Sequence, residues 1–318
     1  MPAISICTPV YNGMPYIQEC VESVLGQDYE DWELIISDNC STDGTREYLS
    51  ALKDKRIKVL LQTDNKGIFG NLNAVIKAAE GEIIQILCAD DYFSTPTALQ
   101  KLVSIWQGLP DEVGFMRINT KPETTIGVAV PHIIQAQDSA LFFYLFGNIP
   151  GNLSNVSMRP QIFKEVGYFS QDFPYAGDFE FWVRAAQKFD FKLSTKQLIY
   201  IRRHPGVASN YLNQNGELIM QKLPIINDLF QKLHKKYPNH KAKLRFYGIL
   251  NYDSLQRDIA IKNILRNKWS YFKELNKAAL VYDFSINPHE RWVIFFLSLG
   301  GRIGRSKFSK LILKKLLN

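Results

Sequence analysis

The stretch NKGIFGNLNAVIKAAEGEIIQILCADDYF, residues 65–93, decides how this chain folds. Its first part, Ile68–Ala79, has apolar residues at helical spacing and runs into a glycine that is suited to end a helix. Ile83–Cys88 is a continuous apolar run with the length of a buried strand, and the carboxylate pair Asp90-Asp91 follows it. The stretch therefore predicts a helix, a buried strand and a polar loop, in that order.

The same alternation precedes this stretch. Three strand-like runs, Ala3–Thr8, Glu33–Ser37 and Ile57–Gln62, are separated by segments in which apolar residues recur at helical spacing. Strands that alternate with helices in this way form right-handed β-α-β units and a parallel sheet. The N-terminal part of the chain therefore predicts an α/β fold.

The rest of the chain differs from this part in pattern and in charge. Residues 95–215 mix helices with extended runs near Val113–Ile118 and Ile126–Ile134, whereas residues 216–318 have helical spacing throughout. Residues 1–215 hold 18 Lys+Arg and 24 Asp+Glu, a net charge of −6, and residues 216–318 hold 20 and 7, a net charge of +13. We therefore predict two domains, 1–215 and 216–318, that meet different partners.

Composition excludes several classes of protein. With 318 residues, 46% of them hydrophobic, the chain is neither a disordered protein nor a fibre. Its longest strongly apolar run, Trp292–Leu299, is far short of the roughly 20 residues of a membrane-spanning helix. The first basic residue is Arg46, so no secretory signal is expected, and the four cysteines form no C-x-x-C pair, which fits a reducing, cytoplasmic setting.

Three loops follow predicted strands and should meet at one edge of the sheet, because parallel sheets bind ligands at the carboxyl ends of their strands. Tyr11 lies in the first loop and can stack on a base, and Asp38 begins the second and can accept the imide N–H of uracil or thymine. Asp90 and Asp91 lie in the third, where carboxylates favour Mg²⁺ or Mn²⁺. The loops therefore predict a site for a nucleoside diphosphate with a divalent cation.

Each of these side chains also has a purely structural explanation. Asp90 and Asp91 could cap the helix that starts near Thr95, and Asp38 could be a turn residue of the Asx type. Tyr11 could simply pack against its neighbours. The sequence contains neither G-x-G-x-x-G nor G-x-x-x-x-G-K-[ST], which argues against dinucleotide and P-loop sites.

Four segments give the chain a family resemblance: TPVYNG (8–13), SDNCSTDGT (37–45), the stretch 65–93 and GDFEFWVRAA (177–186). In this order, the segments resemble those of family 2 glycosyltransferases of the GT-A fold, and the resemblance covers about residues 3–205. It implies a Rossmann-like, mostly parallel sheet sandwiched by helices, with a C-terminal helical appendage. It also implies transfer of a sugar from a nucleotide-diphosphate donor, with inversion at the anomeric carbon.

The resemblance assigns roles to individual residues. For the nucleotide it implies Pro9, Val10, Tyr11, Asp38, Lys66, Gly67 and Asp90. For the metal it implies Asp90, Asp91 and His204, and for the general base Asp178. Contacts to the acceptor or diphosphate are expected from Asn155, Glu180, Trp182 and Arg202, and weaker candidates are Asn148, Asn152 and Arg159.

Two residues depart from the family pattern. Cys88 stands where the family's D-x-D segment has its first Asp, which removes one hard metal ligand. Gly177 stands where many relatives carry a Glu before the base. These departures support an alternative, a non-catalytic membrane-associated subunit. The other alternative, a sugar-nucleotide nucleotidyltransferase, would require a Gly-rich phosphate loop with Arg or Lys near the N-terminus.

The expected reaction uses a UDP- or dTDP-sugar with Mn²⁺ or Mg²⁺, and a saccharide or polyprenyl-linked acceptor, in synthesis of a surface polysaccharide or glycolipid. Residues 302–318 contain six Lys or Arg and no acid, and Phe308, Leu311, Ile312 and Leu316 form an apolar stripe. This pattern, with the preceding run from Trp292, is typical of a helix on an anionic leaflet, or alternatively of a helix that packs in a core and leaves its charged face solvated. We expect peripheral association with the inner face of the cytoplasmic membrane; no nucleic-acid module accompanies the basic charge.

Overall fold

The computed structural model describes every residue except 122, 125, 205–215, 266–268, 280, 285, 286 and 318. The chain divides into two compact units. The first comprises Met1–Lys121, Pro131–Gln137 and Pro150–Arg203, and the second comprises Pro122–Val130, Asp138–Ile149 and His204–Asn318. The predicted boundary after residue 215 falls beside residues outside those described, and it stays a prediction.

The first unit contains the strands. They are β1 Ile4–Val10, β2 Trp32–Asp38, β3 Ile57–Leu61, β4 Ile83–Ile86, β5 Tyr92–Phe93, β6 Val113–Arg117, β7 Ile133–Ile134, β8 Val156–Met158, β9 Asp190–Leu193 and β10 Ile199–Tyr200. Its helices are α1 Tyr16–Leu25, α2 Thr45–Ala51, α3 Gly67–Lys77, α4 Ala98–Gln107, the start of α5 Ala136–Phe146, α6 Gln161–Val166 and α7 Gly177–Ala185.

Eight strands form one sheet in the order β3-β2-β1-β4-β8-β6-β9-β7, and β10 pairs with β5 in a separate ribbon. β1 pairs in parallel with β2 on one side, from Ile4–Trp32 to Val10–Asp38, and with β4 on the other. β8 is antiparallel to both of its neighbours, and β7 is antiparallel to β9. The predicted α/β class with a mostly parallel sheet is confirmed.

The central strands are buried because helices cover the sheet. All residues of β4 and nearly all of β1 and β2 are buried, which is why these strands are continuous apolar runs. α1 turns Ile17, Val21 and Val24 into the core, and α4 turns Leu99 and Leu102 there. The helical spacing in the sequence therefore predicted both the helices and the faces that they bury.

The middle of the sheet contains a strand that sequence patterning missed. β8, with the short sequence Val-Ser-Met, lies between β4 and β6, whereas most of the predicted extended run Ile126–Ile134 is not strand and contributes only β7. Ser157 of β8 accepts a hydrogen bond of 2.8 Å from the indole N–H of Trp106 on α4. Both side chains are buried. This bond therefore ties a covering helix to the centre of the sheet.

The second unit is helical. It contains most of α5, together with α8 Glu217–Lys236, α9 Lys241–Gly248, a π-helix at Ile249–Ser254, α10 Leu255–Ile264, α11 Ser270–Ala279, α12 Pro288–Leu297 and α13 Arg305–Leu316. Its core gathers buried tyrosines. The Tyr144 hydroxyl donates to the carbonyl of Leu244 at 2.8 Å, and the Tyr247 hydroxyl donates to that of Leu145 at 2.6 Å. Within the described residues, no helix combines the length and hydropathy needed to cross a bilayer.

The apolar stripe predicted on the C-terminal helix faces mostly inward, and Leu311 is its exposed member. Ile312 is buried, and the Phe308 ring packs at 4.6 Å from that of Phe246, beside a small cluster that includes Leu250. Ser309, on the same face, is fully buried. Most of the stripe therefore packs into the second unit, and the exposed face of α13 carries lysines together with Leu311. The membrane contact predicted for this region stays a prediction.

We predict that Ser157→Ala destabilises the protein. The change leaves the buried Trp106 N–H without its acceptor, so the free energy of unfolding should fall by about 1–3 kcal/mol. Urea denaturation followed by circular dichroism measures this difference. Ser104→Ala, on the exposed face of α4, should change it by less than about 0.5 kcal/mol. Equal stability of the Ser157→Ala variant and the wild type would show that the bond contributes nothing.

Candidate functional site

The first two loops at the carboxyl edge of the sheet are joined by hydrogen bonds. The Asn12 amide donates to Ser41 Oγ at 2.7 Å, and the side chain of Asn12 accepts from the Thr42 amide at 2.9 Å. The Gly13 amide donates to Thr45 Oγ1 at 2.9 Å. Because both strands end at the same edge in parallel register, short polar side chains suffice to bridge the loops.

Asp38 lies fully buried beneath these loops. Its Oδ2 atom accepts from the Ser41 amide at 3.1 Å and lies 3.3 Å from a guanidinium nitrogen of Arg46. Its Oδ1 atom is buried and accepts no hydrogen bond from the described part of the chain. A buried acceptor without a donor is costly, so this oxygen fits an N–H group supplied by a ligand.

The N-terminal loop places its three predicted residues in different surroundings. Tyr11 is more than half exposed, as a ring that receives a base would be in a ligand-free chain. Pro9 is partly exposed within β1. The side chain of Val10 lies in the apolar core, so Val10 offers the edge only its carbonyl, which accepts from the Asn39 amide at 2.9 Å. The predicted contribution of Val10 to the nucleotide site stays a prediction.

Lys66 and Gly67 lie at the start of α3, held beside the second loop. The Lys66 amide donates to Asn39 Oδ1 at 2.8 Å, and the Gly67 amide donates to Asn65 Oδ1 at 2.9 Å. The Lys66 ammonium is partly exposed and lies 3.2 Å from Asp64. The segment therefore reaches the predicted edge, with a cation near it.

The third loop brings three metal-binding groups together. One ligand atom each from Cys88, Asp90 and Asp91 lies within 4.8 Å of the others. The two carboxylates suit Mg²⁺ or Mn²⁺, and the thiol adds a softer donor that hard cations bind less well. The sequence predicted the carboxylates and treated Cys88 as a loss, but its sulfur occupies the same cluster.

Asp91 is almost fully buried, and its burial raises the pKa of that carboxyl to about 6. Burial, with the charges of Asp91 and Asp90, raises the pKa of the Cys88 thiol. Charged forms of these groups are therefore disfavoured unless a cation compensates them. The residues present fit a divalent cation.

Arg202 holds this loop in place. Its amide donates to Asp91 Oδ1 at 2.9 Å, and its Nε donates to the carbonyl of Asp90 at 3.0 Å. Its guanidinium also pairs with Glu19 and lies 4.9 Å from the centre of the Tyr16 ring. Arg202 therefore holds the acidic loop in place, and its predicted contact with the acceptor or diphosphate stays a prediction.

Asp178 lies in the first turn of α7, and close packing of α7 against α3 fixes its position. A Cβ added to Gly177 would lie 2.6 Å from the ring of Phe69, so only glycine fits against that ring. Phe69 belongs to α3, two residues after Gly67. Asp178 is therefore held next to the N-terminal turn of α3 at the carboxyl edge of the sheet.

Several predicted contact residues have structural partners instead. Glu180 forms an ion pair of 2.7 Å with Arg184. Trp182 is fully buried, with its ring centre 5.4 Å from that of Phe115, and its predicted contact with the acceptor or diphosphate stays a prediction. Asn155 is buried and accepts from the Asn119 side chain at 2.9 Å.

The remaining candidates are Asn152, Arg159, Asn148 and His204. Asn152 caps a short helix by accepting from the Ser154 amide at 2.9 Å. Arg159 donates to the carbonyl of Val113, at the amino end of β6, which is the opposite edge of the sheet. Asn148 and His204 belong to the second unit, so the predicted metal role of His204 stays a prediction.

Two residues of the site were missed. Arg46 pairs with Asp38, and Ser154 accepts from the Cys88 amide at 2.8 Å and hydrogen-bonds Asp91. The sequence indicated Arg46 only weakly, since this residue directly follows the segment 37–45 that contains the second loop. It did not indicate Ser154, because that residue precedes a strand that patterning did not find.

Comparison with known proteins gives a family and a fold. Residues 5–165, half of the chain, match the model of Glycosyl transferase family 2. The Escherichia coli UDP-Glc:alpha-D-GlcNAc-diphosphoundecaprenol beta-1,3-glucosyltransferase WfaP is 28% identical over 260 residues, 79% of this chain and 94% of WfaP. The Bacillus subtilis glycosyltransferase TuaG is 41% identical over 92 residues, 28% of this chain and 36% of TuaG.

Two solved structures resemble the whole chain. S. aureus TarS 1-349, in complex with UDP-GlcNAc, has a TM-score of 0.65 at 17% identity, covering 98% of this chain and 92% of that one. The mannosyltransferase PcManGT from Pyrobaculum calidifontis, in complex with GDP-Man and Mn²⁺, has a TM-score of 0.51 at 18% identity, covering 99% and 87%. These likenesses confirm the predicted GT-A fold.

We predict that Cys88→Asp strengthens binding of Mn²⁺. The change replaces a soft thiol, in a cluster of two carboxylates, by a third hard ligand, so affinity should rise by about tenfold. Titration calorimetry with Mn²⁺ in the presence of UDP measures it. Ser104→Asp, on the exposed face of α4 and outside the cluster, adds a carboxylate elsewhere and is the control, which should leave affinity unchanged. Weaker binding by Cys88→Asp would mean that the thiol is the preferred ligand.

We also predict that Mn²⁺ binding weakens in mild acid. The raised pKa of Asp91, about 6, means that below this pH a cation must displace a proton, whereas above it the carboxylate is free to bind. Affinity should fall by about tenfold from pH 7.5 to pH 5. Titrations at both pH values test this, and UDP binding without metal serves as the control. Equal affinity at both values would contradict the assignment of Asp91 as a ligand.

Proposed function

The chain belongs to glycosyl transferase family 2, and we propose that it moves a sugar from UDP or dTDP to a hydroxyl of a saccharide or lipid-linked acceptor, with inversion. The observation that carries the proposal is the buried Oδ1 atom of Asp38, which no described residue satisfies. It lies beneath the two joined loops at the carboxyl edge of the sheet. A uracil or thymine imide N–H supplies the missing donor.

Donor binding in this proposal uses residues of three loops. Tyr11 stacks on the base, Asp38 accepts from its imide, and Arg46 orients Asp38 through the 3.3 Å ion pair. Lys66 lies next to the second loop and offers positive charge to a phosphate. TarS, whose fold this chain shares, is described with UDP-GlcNAc, which supports a uridine nucleotide here.

The leaving diphosphate gains negative charge as the bond to the sugar breaks. Asp90 and Asp91, with Cys88, would hold a divalent cation, and such a cation would neutralise this charge. Arg202 orients Asp91 through its amide and so limits the movement of the ligand set. The mannosyltransferase PcManGT is described with Mn²⁺, which supports the choice of ion.

Asp178 accepts the proton of the acceptor hydroxyl as that oxygen attacks the anomeric carbon. Its place at the start of α7, next to the N-terminal turn of α3, puts a carboxylate on the side of the sheet where the donor binds. A single displacement inverts the anomeric centre and needs no nucleophile from the chain. This step supports inversion, which remains part of the proposal.

The acceptor class is taken from a relative. WfaP is described as acting on a sugar linked to diphosphoundecaprenol, and the match covers 94% of that protein. We therefore propose a lipid-linked saccharide as acceptor, in assembly of a surface polysaccharide or glycolipid. Which sugar is moved depends on side chains that differ between such proteins.

The alternative of a non-catalytic subunit loses one of its two supports. Gly177 is explained by the ring of Phe69, which fills the space that a side chain at this position would need. Cys88 remains within the metal cluster and is compatible with a bound cation. An intact candidate base at Asp178 therefore favours an enzyme.

We predict that Asp178→Asn abolishes transfer and spares donor binding. Loss of the base should lower turnover by about 10²–10⁴-fold, whereas affinity for UDP stays within about twofold. Transfer is measured with a panel of UDP- and dTDP-sugars and a polyprenyl-diphosphate saccharide, and binding by calorimetry.

Asp172→Asn is the matched control, because Asp172 is an exposed carboxylate shortly before α7. It should keep wild-type turnover. Wild-type turnover in Asp178→Asn would overturn the assignment of the base, and failure of any pyrimidine nucleotide to bind would favour the non-catalytic alternative.

A further inference from the structure

The helix α12 exposes apolar side chains on the face that points away from its own unit. Arg291 and Ile294 are buried on its inner face. Val293, Phe296 and Leu297 are exposed, with 68% of Phe296 and 75% of Leu297 accessible. A contiguous apolar surface left exposed on a folded protein usually marks a contact with another protein or with a membrane. The outer face of α12 therefore lacks the cover that its composition requires.

The turn after α12 extends this surface. Leu299 and Ile303 are both more than half exposed. The turn is closed by hydrogen bonds from the Gly300 amide to the carbonyl of Phe295 at 2.8 Å and from the Ile303 amide to that of Ser298 at 3.1 Å. We call the five exposed side chains the apolar ridge: Val293, Phe296, Leu297, Leu299 and Ile303.

The helix that carries the ridge is firmly anchored. The Asn287 side chain caps its start by accepting from the amides of His289 and Glu290. Arg291 lies 3.8 Å from Asp253, which in turn forms a fully buried ion pair with Arg257. Since both ends of α12 are fixed, the exposure of the ridge is a feature of the folded unit and not of a frayed end.

Positive charge follows the ridge along the chain. Residues 291–318 contain no Asp or Glu. The exposed face of α13 carries four lysines, and its apolar face is buried in the unit. These lysines are Lys307, Lys310, Lys314 and Lys315. An apolar surface followed by cations, with Trp292 stacked on Phe296 at 5.9 Å, matches the chemistry of an interfacial helix.

We propose that the apolar ridge inserts into the surface of an anionic bilayer, with α12 lying in the plane of the headgroups and the lysines of α13 contacting lipid phosphates. Phospholipid supplies both the apolar layer and the negative charge that this surface lacks. A second copy of the chain fits less well, because a symmetric contact would bring the lysine faces towards each other. The inference does not depend on the proposed reaction.

The test is sedimentation of the full chain with vesicles. We expect binding to vesicles of phosphatidylglycerol and phosphatidylcholine, and much weaker binding to phosphatidylcholine alone. The double change Phe296→Ser with Leu297→Ser should lower affinity by at least about tenfold. Lys310→Gln with Lys314→Gln should weaken binding to anionic vesicles and reduce its sensitivity to salt.

Leu265→Ser is the matched control, since Leu265 is 83% exposed in the same unit but outside the ridge. It should bind vesicles as the wild type does. Because all these side chains are exposed, folding is checked by thermal melting, and UDP affinity should be unchanged in every variant.

Three results would overturn the proposal: no preference for anionic vesicles, wild-type binding by the Phe296/Leu297 variant, or equal loss with Leu265→Ser. Light scattering adds a fourth. A dimer in solution that the Phe296/Leu297 changes dissociate would identify the ridge as a contact between copies instead. None of these outcomes measures donor binding or transfer, so failure of the membrane proposal would not contradict the proposed reaction.

Discussion

Parallel pairing of β1 with both β2 and β4 is the constraint on which the candidate site depends. The register that sets Val10 opposite Asp38 makes the two strands end level, so the loops that follow them start side by side. β4 then brings its loop, with the acidic pair, to the same edge. A one-residue shift of register would turn every side chain of the shifted strand to the other face of the sheet and move these loops apart. The chemistry of the edge is therefore a product of the backbone pairing beneath it.

Hydrogen bonds from short polar side chains hold these neighbouring loops in a fixed arrangement. Asn12, Ser41 and Thr45 join the first two loops, and Asn39 joins the second to the start of α3. Arg202 joins the acidic loop to the segment that follows β10, near the end of the first unit in the sequence. The short side chains of Asn, Ser and Thr lose less rotamer entropy on ordering than long side chains such as Arg. The site is thus organised before any ligand arrives, which lowers the cost of binding one.

The sequence predicted what local pattern and strand order determine. Asp38 and the pair Asp90-Asp91 were found because they follow apolar runs, and parallel strands end at a common edge. β8 was missed because three residues carry no period, and its place depends on neighbours distant in the chain. Trp182 was assigned by its position in a motif, but a motif does not tell which face of the helix meets the core. The stripe around Ile312 was correctly periodic, yet periodicity cannot distinguish a protein core from a bilayer.

The contact between Gly177 and Phe69 ties two distant parts of the sequence into one choice. With the phenyl ring in place, position 177 accepts no side chain at all, because even a methyl group would lie 2.6 Å from the ring. An acidic residue can enter position 177 only if position 69 becomes smaller or its ring moves away. Mutational paths that exchange these positions one at a time pass through an overpacked or a cavity-containing intermediate. A side chain at position 177 would therefore require a matching exchange at position 69.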